Sequence, residues 1–293
     1  MQVGVMITLK NKNGMKLVLT KKGAAIDELW FGKTLIATKG VSVGRYANRI
    51  AKGRFSIGDN MYQIAVNENG NALHGGKDRF QYRDWRAEMY DFYGIVTNDE
   101  SDAYTVTFSL HSVDGDQGFP GNLDLRVSYE LTNSNELVIK YEAKCDKDTI
   151  VNFTNHSYFN LNGGGVVKDH TLWVDTNAYT EVDKELIPTG RILPTEGTDF
   201  DLIQGGEYLT DLDTNFVLNG SGFRRVAELK GLKTGITMSC FTDQPGLQVY
   251  NNASEICLET QHFPDSPNHE NFPSTLLKAG ETFKSTTIYK FSK

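Results

Sequence analysis

The 293-residue chain is acidic, and this balance of charge excludes several classes of partner. Its 30 Lys and Arg residues are outnumbered by 37 Asp and Glu residues, giving a formal net charge of −7. No cationic surplus is available to neutralise nucleic-acid phosphates or anionic lipid. No apolar run approaches the ~20 residues of a membrane span, and the first residues lack the pattern of an export signal. We therefore expect a soluble, cytoplasmic protein that binds neither nucleic acid nor membrane.

The three cysteines, Cys145, Cys240 and Cys257, lie far apart in the sequence. They form no C-x-x-C spacing of the kind that binds zinc or performs redox chemistry. We expect them to be buried apolar thiols.

Apolar residues recur with a period of two along most of the chain, which is the pattern of half-buried β-strands. Residues 123–131 and 137–141 alternate in this way on either side of an Asn-Ser-Asn turn and predict a hairpin. Further strands are predicted over 16–20, 55–66, 104–110, 171–174, 236–241, 247–250, 256–260 and 286–291. Helical periodicity is confined to a short piece near 207–212. With 28 glycines and no repeat or linker, the pattern favours an all-β antiparallel sandwich or barrel in a single domain, residues 1–293.

The strand-like segment 151–160 sets His156 among amides, hydroxyls and aromatic rings. A sugar presents hydroxyls at its edge and C–H groups on its faces, so its site needs donors and acceptors beside flat apolar surface. Ser157 and Tyr158 would supply a hydroxyl and a ring, and His156 could move protons. An equally good interpretation is that His156 and Asn155 satisfy each other in a polar core.

Two polar segments in the first third of the chain are further candidates. Asn48 and Arg49 offer an amide and a fork of donors, although Arg45 and Arg49 could simply form surface ion pairs. His74 precedes a Gly-Gly pair that would let a ligand approach the backbone. An exposed histidine on a hairpin turn explains the same pattern and is favoured without further context.

Two more candidates lie near the end of the chain. Asp213 stands in a polar stretch that leads into an apolar run, where turn chemistry is an alternative explanation. Glu259 follows an apolar strand and precedes a proline-broken loop. A carboxylate at the end of a core strand is costly unless it is paired or used.

Taken in order, these segments resemble the aldose 1-epimerase, or galactose mutarotase, family. The resemblance rests on GRYANRIAKGRF, NALHGG, VNFTNHSYFNLNG, DTNF, QPGLQVY and CLETQHFPDSPNH, and extends from about Gly44 to the last strand. It implies a large antiparallel β-sandwich of the mutarotase-like supersandwich type. The implied activity interconverts the α and β anomers of free aldohexoses such as galactose and glucose, in a monomer or homodimer without cofactor or metal.

The resemblance also implies roles for individual residues. His156 would protonate the ring oxygen and Glu259 would remove the anomeric hydroxyl proton, which favours a Glu259 pKa below that of His156. The sugar would be held by Asn48, Arg49, His74, Ser157, Tyr158, Asp213 and Gln244. The family commonly has Asp-His-Asn where this chain has Asp213-Thr214-Asn215, so the pattern departs beside one expected ligand.

Three alternatives remain open from the sequence. His74, His156 and Glu259 could bind a metal ion as a two-His, one-carboxylate site. The chain could bind a sugar without reacting it, although that role does not need both His156 and Glu259. It could also act on hexose 6-phosphates if Arg224 and Arg225 formed a phosphate pocket, but neighbouring strand residues face opposite ways.

Overall fold

The computed structural model describes residues 6–88, 95–97, 103–207 and 212–293. Nearly all regular structure in them is β-strand, and the helices there are five three-residue 3₁₀ turns. The strands are β1 (Met6–Lys10), β2 (Met15–Thr20), β3 (Ala25–Phe31), β4 (Thr34–Val43), β5 (Arg49–Ile50), β6 (Arg54–Ile57), β7 (Asn60–Gln63), β8 (Ala72–Leu73), β9 (Arg86–Glu88), β10 (Ile95–Thr97), β11 (Ala103–Ser112), β12 (Leu123–Thr132), β13 (Glu136–Cys145), β14 (Thr149–Ile150), β15 (Thr154–Phe159), β16 (His170–Val174), β17 (Thr176–Val182), β18 (Pro188–Pro194), β19 (Gly206–Glu207), β20 (Asp213–Leu218), β21 (Arg224–Gly231), β22 (Thr237–Thr242), β23 (Gly246–Asn251), β24 (Ile256–Gln261), β25 (Leu276–Leu277) and β26 (Thr282–Ser292). The 3₁₀ turns are Ala51–Gly53, Phe80–Tyr82, Asp116–Gly118, Val167–Asp169 and Ser266–Asn268.

Two large sheets carry most of these strands. The first has eleven strands in the order β10-β1-β2-β3-β4-β15-β24-β23-β20-β17-β18, and the second has nine in the order β19-β16-β21-β22-β26-β13-β12-β11-β9. The alternating residues of both sheets supply one continuous apolar core between them. On β12, for example, Leu123, Leu125 and Val127 are buried while Asp124 and Arg126 are exposed, as the period-two pattern requires.

The fold class predicted from the sequence is confirmed. The predicted hairpin is β12 and β13 in antiparallel register, with Val127 opposite Tyr141. Among the paired strands that the structure describes, β1 and β10 are the one pair that runs parallel. The helix predicted near 207–212 falls mostly outside the described residues, and its first residue, Glu207, belongs to β19. The single-domain assignment stays a prediction.

The three cysteines are free and buried, as predicted. No helix in the described part of the chain is long and apolar enough to span a bilayer.

The outer face of the eleven-stranded sheet, opposite the nine-stranded sheet, is where the polar segments meet. On β15 and β24, Phe159 and Leu258 point into the core between the sheets, so the alternate residues His156 and Glu259 point to the outer face. The antiparallel pair β5–β8 lies over this face and has its own small apolar cluster, which includes Tyr46, Ile50 and Ala72. The distant segments are therefore brought together by one sheet and the strand pair β5–β8 that covers it.

Candidate active site

The centre of the outer face holds an imidazole and a carboxylate from adjacent strands. The register that pairs Phe159 of β15 with Ile256 of β24 brings His156 opposite Glu259 three residues further along. His156 Nε2 lies 3.5 Å from Glu259 Oε1, and the two side chains are 13% and 2% exposed. At this spacing both groups can reach the two oxygen atoms carried by one carbon.

The next two strands add polar groups in register with this pair. Gln248 of β23 is directly opposite Glu259, and its Nε2 donates to Asp213 Oδ1 of β20 at 2.6 Å. Both lie on the same face as Glu259. The sheet thus presents an imidazole, two carboxylates and an amide side by side.

Arg49, at the start of β5, faces this row from the covering strand pair β5–β8. Its Nε and Nη2 donate to the two oxygens of Glu68 at 2.6 and 3.3 Å, and its Nη1 donates to Asp213 Oδ2 at 3.4 Å. Asn48 fixes the entry to the strand, because its Oδ1 accepts the backbone N–H of Arg49 at 2.8 Å. The guanidinium is therefore clamped between two carboxylates, one of which belongs to the site.

His74 has a defined tautomer. The backbone N–H of Asn48 donates to His74 Nδ1 at 3.0 Å, and a backbone amide can only donate. Nδ1 must therefore be unprotonated, so Nε2 carries the proton of the neutral ring. Burial, followed by the charge of His156, lowers the pKa of His74 well below its usual value, which keeps the ring neutral. The ring meets that of His156 edge-on at 5.6 Å and offers the site an N–H donor.

Tyr158 and Tyr250 form an aromatic wall beside His156 and Glu259. The Tyr158 ring stacks on His156 at 5.0 Å with an interplanar angle of 26°, and the two tyrosine rings meet edge-on at 6.4 Å. Aromatic faces suit the C–H faces of a sugar. Polar groups and flat apolar surface therefore occur in one site, as a sugar requires.

Several buried polar atoms on this face have no hydrogen-bond partner among the described residues. They are His156 Nδ1, Asn215 Oδ1, Gln248 Oε1, Glu259 Oε2 and both amide atoms of Gln261. Buried polar atoms are normally satisfied by protein, water or ligand. Their concentration around Glu259 marks the place where an external molecule with hydroxyl groups would complete the network.

The pKa shifts of Glu259 and His156 run against the expectation that the pKa of Glu259 is held below that of His156. Burial, with a smaller contribution from Asp213, raises the pKa of Glu259 well above its usual value, and Arg49 partly offsets this rise. Burial is also the main cause of the shift at His156, where it lowers the pKa from 6.5. In the free protein, desolvation thus moves both values in the direction opposite to that expected from mutual attraction.

Two residues expected to hold the sugar point elsewhere. Ser157 faces the core between the sheets, where its Oγ donates to Asn155 Oδ1 at 2.6 Å, because successive strand residues face opposite ways. Gln244 lies before β23 and is engaged by Asp243 and His262. The amide that reaches the site from QPGLQVY is Gln248, four residues later.

Other sequence interpretations are also settled by position. Arg45 and Arg49 are both buried, so the surface-pair interpretation is wrong. Thr214 is opposite Val249 and by alternation faces away from the site, unlike Asp213. Arg224 and Arg225 lie on β21 of the other sheet, where Arg224 bonds backbone carbonyls and Arg225 pairs with Glu228.

The three residues of the proposed metal site do come together. Ligand atoms of His74, His156 and Glu259 all lie within 4.8 Å of one another. A metal ion needs a lone pair on each histidine, however, and the backbone amide on His74 Nδ1 leaves a proton on Nε2. The donor set therefore fits hydroxyl binding better than metal binding.

These features define a β-sandwich protein whose candidate active site pairs an imidazole with a carboxylate beside polar and aromatic side chains. Residues 5–290 match the family model described as aldose 1-epimerase. The chain belongs to the aldose 1-epimerase family, which confirms the resemblance in the sequence motifs.

Characterised relatives agree with this assignment. The chain is 41% identical to the galactose mutarotase of Mus musculus over 281 residues, which cover 86% of this chain and 78% of the relative. It is 34% identical to the aldose 1-epimerase of Haemophilus influenzae, covering 98% and 95% of the two chains.

Solved structures show the same architecture. An aldose epimerase homologue from C. elegans superimposes with a TM-score of 0.90 at 26% identity over 99% of both chains. A galactose 1-epimerase from Lactobacillus acidophilus superimposes with a TM-score of 0.86 at 26% identity, covering 97% of this chain and 93% of that one.

Proposed function

We propose that this protein is an aldose 1-epimerase that interconverts the α and β anomers of free aldohexoses such as galactose and glucose. The observation that carries the proposal is the 3.5 Å approach of His156 Nε2 to Glu259 Oε1 within a buried row of hydroxyl-binding groups. Opening a cyclic hemiacetal requires one proton to leave the anomeric hydroxyl and one to reach the ring oxygen. An acid and a base that act on the two oxygens of one carbon can perform both transfers.

The reaction conserves protons over a full cycle. Glu259 takes the proton of the anomeric hydroxyl while protonated His156 donates to the ring oxygen, so the C1–O5 bond breaks and an aldehyde forms. Rotation about C1–C2 presents the opposite face of the aldehyde. His156 then removes the proton from O5, O5 attacks C1, and Glu259 returns its proton to the new anomeric hydroxyl. Each positioned proton transfer typically contributes 10²- to 10⁴-fold to the rate.

The pKa directions of the free site suit this exchange. The pair carries one proton on His156 when the sugar is closed and one proton on Glu259 when it is open. Relative to ordinary values of 4.5 and 6.5, a raised Glu259 pKa and a lowered His156 pKa both favour the state with the proton on Glu259, which is the state of the open sugar. Desolvation of the site thereby assists proton transfer from His156 to Glu259 through the sugar.

The remaining groups hold the sugar in this account. His74 donates from Nε2, while Gln248, Asp213 and Arg49 offer an amide, a carboxylate and a guanidinium to the hydroxyls. Tyr158 gives a flat surface to the ring. The monomeric or homodimeric state and the cytoplasmic location stay predictions.

Anomer exchange can be measured directly on the purified protein. Freshly dissolved α-glucose or α-galactose is followed by optical rotation in the presence of a chelator, and we expect acceleration well above the spontaneous rate. Loss of that acceleration on chelation, with recovery on adding iron or manganese, would favour the metal alternative. Binding of the sugar without acceleration would favour the non-catalytic alternative.

A further inference from the structure

The loop that follows β24 contains a buried carboxylate, Asp265, that none of the reaction steps above uses. Asp265 is 2% exposed and has a left-handed backbone, with φ of 55°. Its backbone N–H donates to the carbonyl oxygen of Arg49 at 2.8 Å, and its Oδ1 accepts the backbone N–H of Ala51 at 2.9 Å. Asp265 therefore holds the main chain of β5 at Arg49 and again just after the strand ends.

These two hydrogen bonds complete the free edge of β5. The strand has only two residues and pairs with β8, and a two-stranded ribbon is marginally stable by itself. On the β8 side, the carbonyl oxygen of Asn48 accepts the backbone N–H of His74 at 3.0 Å. Successive carbonyls of a strand point to opposite edges, so that of Arg49 points away from β8 and meets Asp265. Asp265 thus supplies the hydrogen bonds that a third strand would otherwise make.

The imidazole of His269 holds Asp265 in this position. His269 Nε2 lies 3.3 Å from Asp265 Oδ2, and the two side chains are 18% and 2% exposed. The His269 ring is itself fixed, because it packs against Phe272 at 4.7 Å and a Cβ at Gly190 would meet its Nδ1 at 2.8 Å. Burial raises the pKa of the Asp265 carboxyl, and its contacts with Ala51, Asn268 and His269 oppose that rise. A buried carboxylate is costly without such partners.

The position of the Arg49 main chain decides where its guanidinium lies in the site. Arg49 Nη1 reaches Asp213 Oδ2 at 3.4 Å, which is beyond the usual range for a hydrogen bond, so a small shift of β5 would break this contact. Glu68 fixes only the far end of the side chain, through Nε and Nη2. Asp265 fixes the main chain from which the side chain extends.

We propose that Asp265, held by His269, is a positioning residue that fixes the main chain of Arg49 and thereby orients the guanidinium toward the sugar hydroxyls. Neither Asp265 nor His269 contacts the sugar in this arrangement. The inference rests on the proposed function, since it takes Arg49 as a sugar-binding group.

Two pairs of variants separate positioning from folding. Asp265→Ala removes the acceptor for the Ala51 N–H, whereas Asp265→Asn keeps an oxygen there and tolerates the left-handed backbone. His269→Phe removes the partner of Asp265 Oδ2, whereas His269→Gln retains a side-chain N–H donor. The matched control is Asn11→Ala, because Asn11 is also buried and its Oδ1 accepts the backbone N–H of Met15 at 2.8 Å in the turn between β1 and β2. Anomer exchange is measured over a range of galactose concentrations, and stability is measured by chemical denaturation.

We expect Asp265→Ala to raise KM at least tenfold and His269→Phe to raise it at least threefold, each with kcat within threefold of wild type. Asp265→Asn and His269→Gln should keep KM within twofold, and Asn11→Ala should lose stability without a change in KM. In protein that already carries Arg49→Ala, adding Asp265→Ala should lower kcat/KM less than twofold, because Asp265 acts through Arg49.

An unchanged KM in folded Asp265→Ala would overturn the positioning role, as would an equal loss of kcat/KM with and without Arg49→Ala. Should Asp265→Ala fail to fold, the two His269 variants decide, and equal KM values in them would overturn it. A wild-type protein that leaves the galactose anomers unchanged would instead overturn the proposed function, so the two failures are distinguishable.

Discussion

Substitution of Glu68 tests whether the orientation of Arg49 matters for sugar binding. Glu68 holds the guanidinium through two hydrogen bonds, and the side chains of Arg49 and Glu68 are only 10% and 29% exposed. Hydrogen bonds to charged groups contribute about 1.5–3 kcal/mol each. Glu68→Gln keeps one acceptor oxygen but removes the charge, so we expect a loss of about 1–2 kcal/mol, or roughly five- to thirtyfold.

The loss should appear mainly in KM. Without the charge of Glu68, Arg49 is drawn toward Asp213 and occupies a carboxylate that the sugar needs. Optical-rotation progress curves at several sugar concentrations separate KM from kcat. The matched control is Glu185→Gln, because Glu185 is an exposed carboxylate that contacts Asn71 at 3.1 Å without touching Arg49. Equal kinetics in the two variants would refute the positioning role of Glu68.

Three further outcomes follow from the same geometry. Asp213→Ala removes an acceptor for sugar and should raise KM at least tenfold with a smaller change in kcat, whereas a fall in kcat alone would contradict its role in binding. In a pH profile of kcat/KM, the acid limb should have an apparent pKa below 6.5, because burial lowers the pKa of His156 and a second proton on the pair removes the base; an acid limb above 6.5 would contradict the lowered pKa of His156. Gly75→Ala should cost clearly more stability in chemical denaturation than Gly14→Ala, for which the left-handed backbone alone costs about 1–2 kcal/mol. Both glycines have φ near +85° (+88° and +84°), but of the two only Gly75 would place a Cβ in collision with a backbone oxygen, that of Gly44; equal losses would show that the packing beside His74 is not tight.

Many of the strands were predictable because they are half-buried and their apolar residues therefore alternate with polar ones. β12 and β13 illustrate this, since most of their apolar residues are buried and most of their charged residues are exposed or only partly buried. The order of strands in the sheets was not predictable from periodicity, because β15 pairs with β4 and β24, and these pairings join segments that lie far apart in the sequence. Only the family resemblance suggested that His156 and Glu259 would meet.

Within the site, prediction failed where the facing of a side chain or a local partner decides its role. Ser157 is adjacent to His156 but faces the core, which strict alternation along β15 would have indicated. Gln248 carried the same signal, a polar residue between the apolar Leu247 and Val249. Glu68 carried none, because its partner Arg49 is 19 residues away and joins it only through the folding of a loop.

Substitution of His156 and of Glu259 tests the acid-base mechanism most directly. His156→Asn and Glu259→Gln preserve size and polarity, so each should fold with near wild-type stability while losing at least a hundredfold in anomer exchange, within the typical worth of one positioned proton transfer. Exchange is read from the optical rotation of fresh α-galactose or α-glucose, with circular dichroism as the check on folding. Full activity in either folded variant would contradict the acid-base mechanism.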